Sequence, residues 1–113
     1  MSAAVYNLKI DQGSDFVIDL AVKESGSAQD LSGYSARAQL RSSRSAQSVA
    51  ASFTCTVLDP PTNGFIKMEL TNSVSSALSA GRYYYDLEIF TGSDAIVKRL
   101  LQGEVTLSQE VTR

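Results

Sequence analysis

The side chains that could do chemistry in this 113-residue sequence are defined first by an absence. There is no histidine, which removes together the usual proton carrier near neutral pH, the commonest metal ligand and the standard nucleophilic triad. The twelve carboxylates fall mainly in turns or at outward strand positions, where solvation is the default. Asp86 and Glu88 share one strand face, about 7 Å apart at a rise of about 3.4 Å per residue. A glycosidase-type pair would also need a cleft and one raised pKa, and the sequence supplies neither. Asp11-Gln12-Gly13-Ser14-Asp15 lacks the spacing and terminal glutamate of a calcium-binding EF-hand and reads as a plain turn. Cys55 is the one cysteine; it cannot close an intrachain disulfide, and its phase with Ala51, Phe53 and Val57 is that of a buried, inert thiol. Arg37, Arg41 and Arg44 form no continuous basic stripe of the kind a phosphate backbone requires, and the net charge is −2. Arginines so placed suit the solvated outer face of a strand and its loop, with contact to an acidic partner as the alternative. The expectation is a chain without catalytic activity, cofactor, metal or nucleic-acid partner.

The elements that position these groups read as strands. Residues 78–89 run from a turn into a strongly patterned strand, with Tyr83, Tyr85, Leu87 and Ile89 on one side of a period of two and Tyr84, Asp86 and Glu88 on the other. Ala80 and Gly81 allow a sharp turn just before it. Tyr83 either fills the core or reaches back to cap the corner backbone, the tyrosine corner of immunoglobulin-like sandwiches.

In chain order, a strand over 5–10 is interrupted by the turn at 11–15. Phe16, Ile18, Leu20 and Val22 share the face of a second strand, close to or paired with the first. A polar loop over 24–30 precedes a third strand with Ala36, Ala38 and Leu40 inward and Arg37, Gln39 and Arg41 outward. Residues 42–48 form an exposed serine-rich connection. A fourth strand over 50–58 ends at Asp59-Pro60-Pro61-Thr62-Asn63-Gly64, the strongest turn signal in the chain. Ile66, Met68 and Leu70 are in phase over 65–70. Residues 71–78 suit one helical turn bridging the sheets, with Val74 and Leu78 four apart. The last strand, 95–107, has apolar residues on both parities, which a bulge near Gly103 or burial on both sides would explain. The tail 108–113 is polar and is expected to fray.

These elements predict one all-β domain over 1–113, an immunoglobulin-like antiparallel β-sandwich of about seven strands. Hydrophobic residues at 43% and charged residues at 19% suit a packed domain rather than disorder. Neither a signal peptide nor a stretch of about 18 apolar residues is present, so synthesis in a reducing cytoplasm and no membrane partner are expected.

Three segments carry a resemblance. Tyr6-Asn7-Leu8-Lys9-Ile10-Asp11-Gln12-Gly13 with Phe16 behind it, residues 30–41 (Asp-Leu-Ser-Gly-Tyr-Ser-Ala-Arg-Ala-Gln-Leu-Arg), and Ala80-Gly81-Arg82-Tyr83-Tyr84-Tyr85-Asp86-Leu87-Glu88 recur in that order, closed by Arg99-Leu100-Leu101-Gln102-Gly103-Glu104-Val105. Together they resemble small tailed-phage virion proteins, especially those of cyanobacterial phages, and are similar to the immunoglobulin-like N-terminal domain of phage upper baseplate proteins. The resemblance implies a non-catalytic assembly role in a virion, at the tail, baseplate or fibre anchor, with capsid decoration as the alternative. It implies other virion structural proteins as partners, with self-association in a symmetric assembly. Tyr84 and Phe90, and with them Leu58 and Leu100, are the expected interface anchors, since they fall outside the core parity of their strands. A carbohydrate or host-surface binding module is the rival reading; the loops at 24–30 and 42–48 have none of the aromatic platforms such a module uses.

Overall fold

The alternation of residues 81–90 decides the architecture. Tyr83, Tyr85, Leu87 and Ile89 are all buried, Leu87 and Ile89 completely, while the residues between them stay half-exposed. Burying one parity requires a second layer opposite, and the rest of the chain supplies it. The computed structural model describes residues 4–24, 26–93 and 95–111. Its strands are β1 (Ala4–Val5), β2 (Leu8–Asp11), β3 (Phe16–Ala21), β4 (Lys23–Glu24), β5 (Ser27–Ala28), β6 (Ser35–Arg41), β7 (Ala51–Val57), β8 (Phe65–Leu70), β9 (Gly81–Phe90) and β10 (Val97–Ser108). A short helix, α1 (Asn72–Ala77), links β8 to β9.

The main sheet runs β1-β10-β9-β6-β7-β8-β3, with β2 also on β10. It folds over at β7. The first part of that strand pairs with β6, Phe53 facing Ala38, and the second part with β8, Cys55 facing Met68. The result is an all-β sandwich closed along one side by a shared strand, as in a half-barrel. All pairings are antiparallel except those of β1 and β2, which run parallel to β10. The expected antiparallel sandwich is thus a mixed one at this edge. Leu8, Ile10, Leu40, Ile66, Met68, Leu70, Val105 and Leu107 join the four residues of β9 in the core, where Phe16, Phe53 and Tyr85 make tilted ring contacts at 6.1 and 6.2 Å.

Several expectations need local correction. The strand expected over 5–10 is split at Tyr6 and Asn7, where Asn7 Oδ1 accepts the Glu104 N–H at 3.0 Å. Gly103 makes this junction possible, because a Cβ there would run into the Tyr6 carbonyl oxygen. The bulge expected near Gly103 lies instead between Arg99 and Leu101, and Gly103 serves close backbone approach. β3 pairs with β8 and not with the first strand. The 24–30 loop contains the small β4–β5 hairpin.

The helical turn faces inward through Ser75, not Val74, which is 37% exposed. Ser75 Oγ donates to the Ser14 carbonyl at 2.8 Å and accepts the Gly13 N–H at 3.1 Å. Two satisfied bonds to the β2–β3 turn outweigh one valine methyl pair at this polar end. The helix start is capped from outside, Asp15 Oδ1 accepting the Asn72 N–H at 2.7 Å. The tail is tied through Glu110, whose N–H donates to Gln12 Oε1 at 2.9 Å; residues 112–113 of the expected frayed segment lie outside the described residues. The turn after β7 forms as expected, with a 3-10 turn at Pro61–Asn63 and Gly64 in the left-handed region at φ 75°.

Candidate docking surface

The outer face of β6, β9 and β10 collects most of the residues singled out above. Register lays them in rows: Ser35, Phe90 and Val97; Arg37, Glu88 and Arg99; Gln39, Asp86 and Gln102; Arg41, Tyr84 and Glu104. The period of two explains why one face is so mixed, since the apolar residues between these positions are consumed by the core. The charges pair across strands. Arg37 Nε lies 2.9 Å from Glu88 Oε1, Arg99 Nε 3.3 Å from Asp86 Oδ2, and Arg82 Nη1 3.9 Å from Glu104 Oε1. Each carboxylate of the face therefore has a guanidinium beside it.

Tyr84 and Phe90 both stand on this face, half-exposed. Each ring carries a guanidinium, Arg44 at 5.0 Å from the Tyr84 centroid and Arg37 at 4.2 Å from that of Phe90. Such pairs keep an aromatic ring ordered while leaving its edge available. The other two expected anchors are elsewhere. Leu58, half-buried, follows β7 beside the turn and donates its N–H to the Phe65 carbonyl at 3.0 Å. Leu100 sits in the β10 bulge, which turns it against the core beside Leu101. It lines an apolar groove of about 420 Å³ with Val5, Tyr6, Leu20 and Val22. The four residues therefore form one pair on a common face and two separate singletons.

Arg44 was the member of this surface hardest to read from sequence, because it lies in the irregular 42–50 connection where periodicity says nothing. Cys55 is half-buried, and burial pushes its thiol up to about 11, so it stays protonated and poorly nucleophilic at neutral pH. Burial likewise pushes the Tyr85 phenol up to about 12, the neighbouring Tyr6 adding to the effect. Among the described residues no group of three or more acids and cysteines is placed to hold a metal ion, and no helix is long and apolar enough to cross a membrane.

No protein-family model matches the chain, and no curated protein is significantly similar to it. Solved structures are similar to it in part. InlP from Listeria monocytogenes superposes with a TM-score of 0.51 at 18% identity over 91% of this chain. The chain spans about a quarter of InlP, 26% of its length. CopC from Methylosinus trichosporium OB3b gives 0.47 at 11% identity, over 94% of this chain and 89% of CopC. The Entamoeba histolytica cysteine protease inhibitor EhICP2 gives 0.43 at 13%, over 96% and 88%. The likeness to InlP is one of fold alone, and function must be argued from this chain's own surface.

Proposed function

We propose that the chain is a non-catalytic assembly domain of a tailed-phage virion, docking to neighbouring subunits through the outer face of β6, β9 and β10. The observation that carries the docking role is the pairing of Tyr84 and Phe90 with Arg44 and Arg37 on a single stiff sheet. Aromatic and arginine side chains are the types enriched at interface cores, because they bury much surface and lose little conformational freedom. The placement in a virion rests on the sequence resemblance described above, which favours tail, baseplate or fibre anchor over capsid decoration. Neighbours in the assembly include copies of the same chain or related structural proteins.

Purified particles test the virion role directly: the chain is expected among their structural proteins, and electron microscopy would locate it at the tail, the baseplate or the head. Its absence from purified particles overturns the reading. Tyr84→Ser tests the surface. The variant is expected to fold normally in isolation and to enter particles poorly, whereas normal incorporation would remove this face from the interface.

A further inference from the structure

Five of the six arginines of the sequence lie on the outer face of β6, β9 and β10 or in the connection after β6. Arg37, Arg82 and Arg99 take the three carboxylates of that face. Two guanidiniums are left over: among the described residues neither Arg41 nor Arg44 has a carboxylate partner. Both line the same concavity of about 230 Å³, where Gln39, Ser43, Tyr84 and Gln102 also stand and where the one carboxylate, Asp86, is already paired with Arg99. Arg41 is held in place, one terminal nitrogen donating to the Ala46 carbonyl at 2.8 Å and the other to Gln39 Oε1 at 3.1 Å. Arg44 is held over the Tyr84 ring. Two oriented cations at the rim of one hollow have given up much of their rotamer freedom before a ligand arrives.

We infer that Arg41 and Arg44 form a clamp for a carboxylate presented by an acidic segment of a neighbouring protein subunit. This rests on the docking role proposed above and adds the chemistry of the partner. Guanidiniums bind carboxylates through paired, charge-assisted hydrogen bonds, and two of them suffice for one acidic side chain. A nucleic acid fits poorly, because Asp86, Glu88 and Glu104 interrupt any path for evenly spaced phosphates. A sugar ring fits poorly too, because Arg44 already occupies the face of Tyr84 on which it would stack.

Titration of the intact chain with hexaglutamate, followed by NMR of the arginine side chains, tests the clamp. Saturable binding that weakens with added salt is expected. Joint replacement Arg41→Gln and Arg44→Gln should weaken it about tenfold, the loss of charge-assisted bonds. Arg37→Gln should leave it nearly unchanged, because that guanidinium already serves Glu88. Circular dichroism would verify that each variant is folded. The clamp is overturned if the wild type shows no binding at millimolar peptide in low salt, if the double variant binds equally well, or if free glucuronate binds as tightly as the peptide. Incorporation into particles separates the two ideas. A double variant that enters normally while Tyr84→Ser does not would sink the clamp and leave the docking face standing; normal entry of both would sink the face itself.

Discussion

Tyr83, Tyr84 and Tyr85 are consecutive and chemically identical, yet they serve two different regions of the molecule. Tyr83 and Tyr85 are buried, and each hydroxyl donates to a backbone carbonyl, that of Ser79 at 2.6 Å and that of Tyr6 at 2.5 Å. The first bond closes the corner before β9; the second fixes the break between β1 and β2 against β10. Tyr84 faces the other way, half-exposed beneath Arg44. In the interior a phenol must find an acceptor because no water is there to supply one. On the outside the same ring is available to cations and partners. One face of β9 commits its tyrosines to holding the fold, while the other leaves its tyrosine half-exposed beneath a guanidinium.

The contrast can be broken most strongly from the inside. Tyr85→Ala removes the ring packed edge-on against Phe53 and strips the Tyr6 carbonyl of its donor, so a loss of about 3–5 kcal/mol is expected in urea unfolding. A loss below about 1 kcal/mol would mean that Tyr85 is no core residue. Gly103→Ala comes next. Its new methyl group meets the Tyr6 backbone, and about 1–3 kcal/mol should be lost, with amide exchange rising at Leu8–Asp11 before the rest of the sheet. Tyr83→Phe deletes only the corner bond and should cost about 1 kcal/mol. Tyr84→Ser on the outer face should stay within about 0.5 kcal/mol of wild type. An equal loss from Tyr84→Ser and Tyr83→Phe would erase the distinction between the two faces.

A separate expected effect is one of pH, confined to alkaline solution. The folded state holds the Cys55 thiol at about 11 against an ordinary 9.0. Between those values the unfolded chain sheds its proton and the folded chain keeps it, so stability is full below about pH 9 and declines toward pH 11. Cys55→Ala should flatten that part of the profile, and alkylation of Cys55 at pH 8 should proceed much more slowly in the folded chain than in urea.

Much of this fold was legible in the residues because one parity of each long strand had to be buried. Ala38 and Leu40, Ile66, Met68 and Leu70, and the four inward residues of β9 all lie where a period of two puts them. Proline and glycine marked the turn after β7. The helical turn was legible as an element but not in its orientation, since hydrophobicity favoured Val74 and hydrogen bonding to a turn some 60 residues away favoured Ser75. The bulge escaped for a related reason. Apolar residues on both parities of β10 announced a change of phase, but only the register with β9 shows that it falls at Leu100.

The candidate surface divides in the same way. Local covalent geometry set the side of its strand that each side chain takes, so the residue pattern was enough to turn Tyr84 and Phe90 away from the core, and the composition was enough to show that no histidine is present. Which side chains then meet was decided by tertiary structure alone. Arg44 covers Tyr84 from forty residues away, and Leu100 turns inward. Three arginines find carboxylates on neighbouring strands while Arg41 and Arg44 do not. Pairing between strands depends on register and on the path of a loop, and both follow from packing the whole chain, which no local pattern encodes.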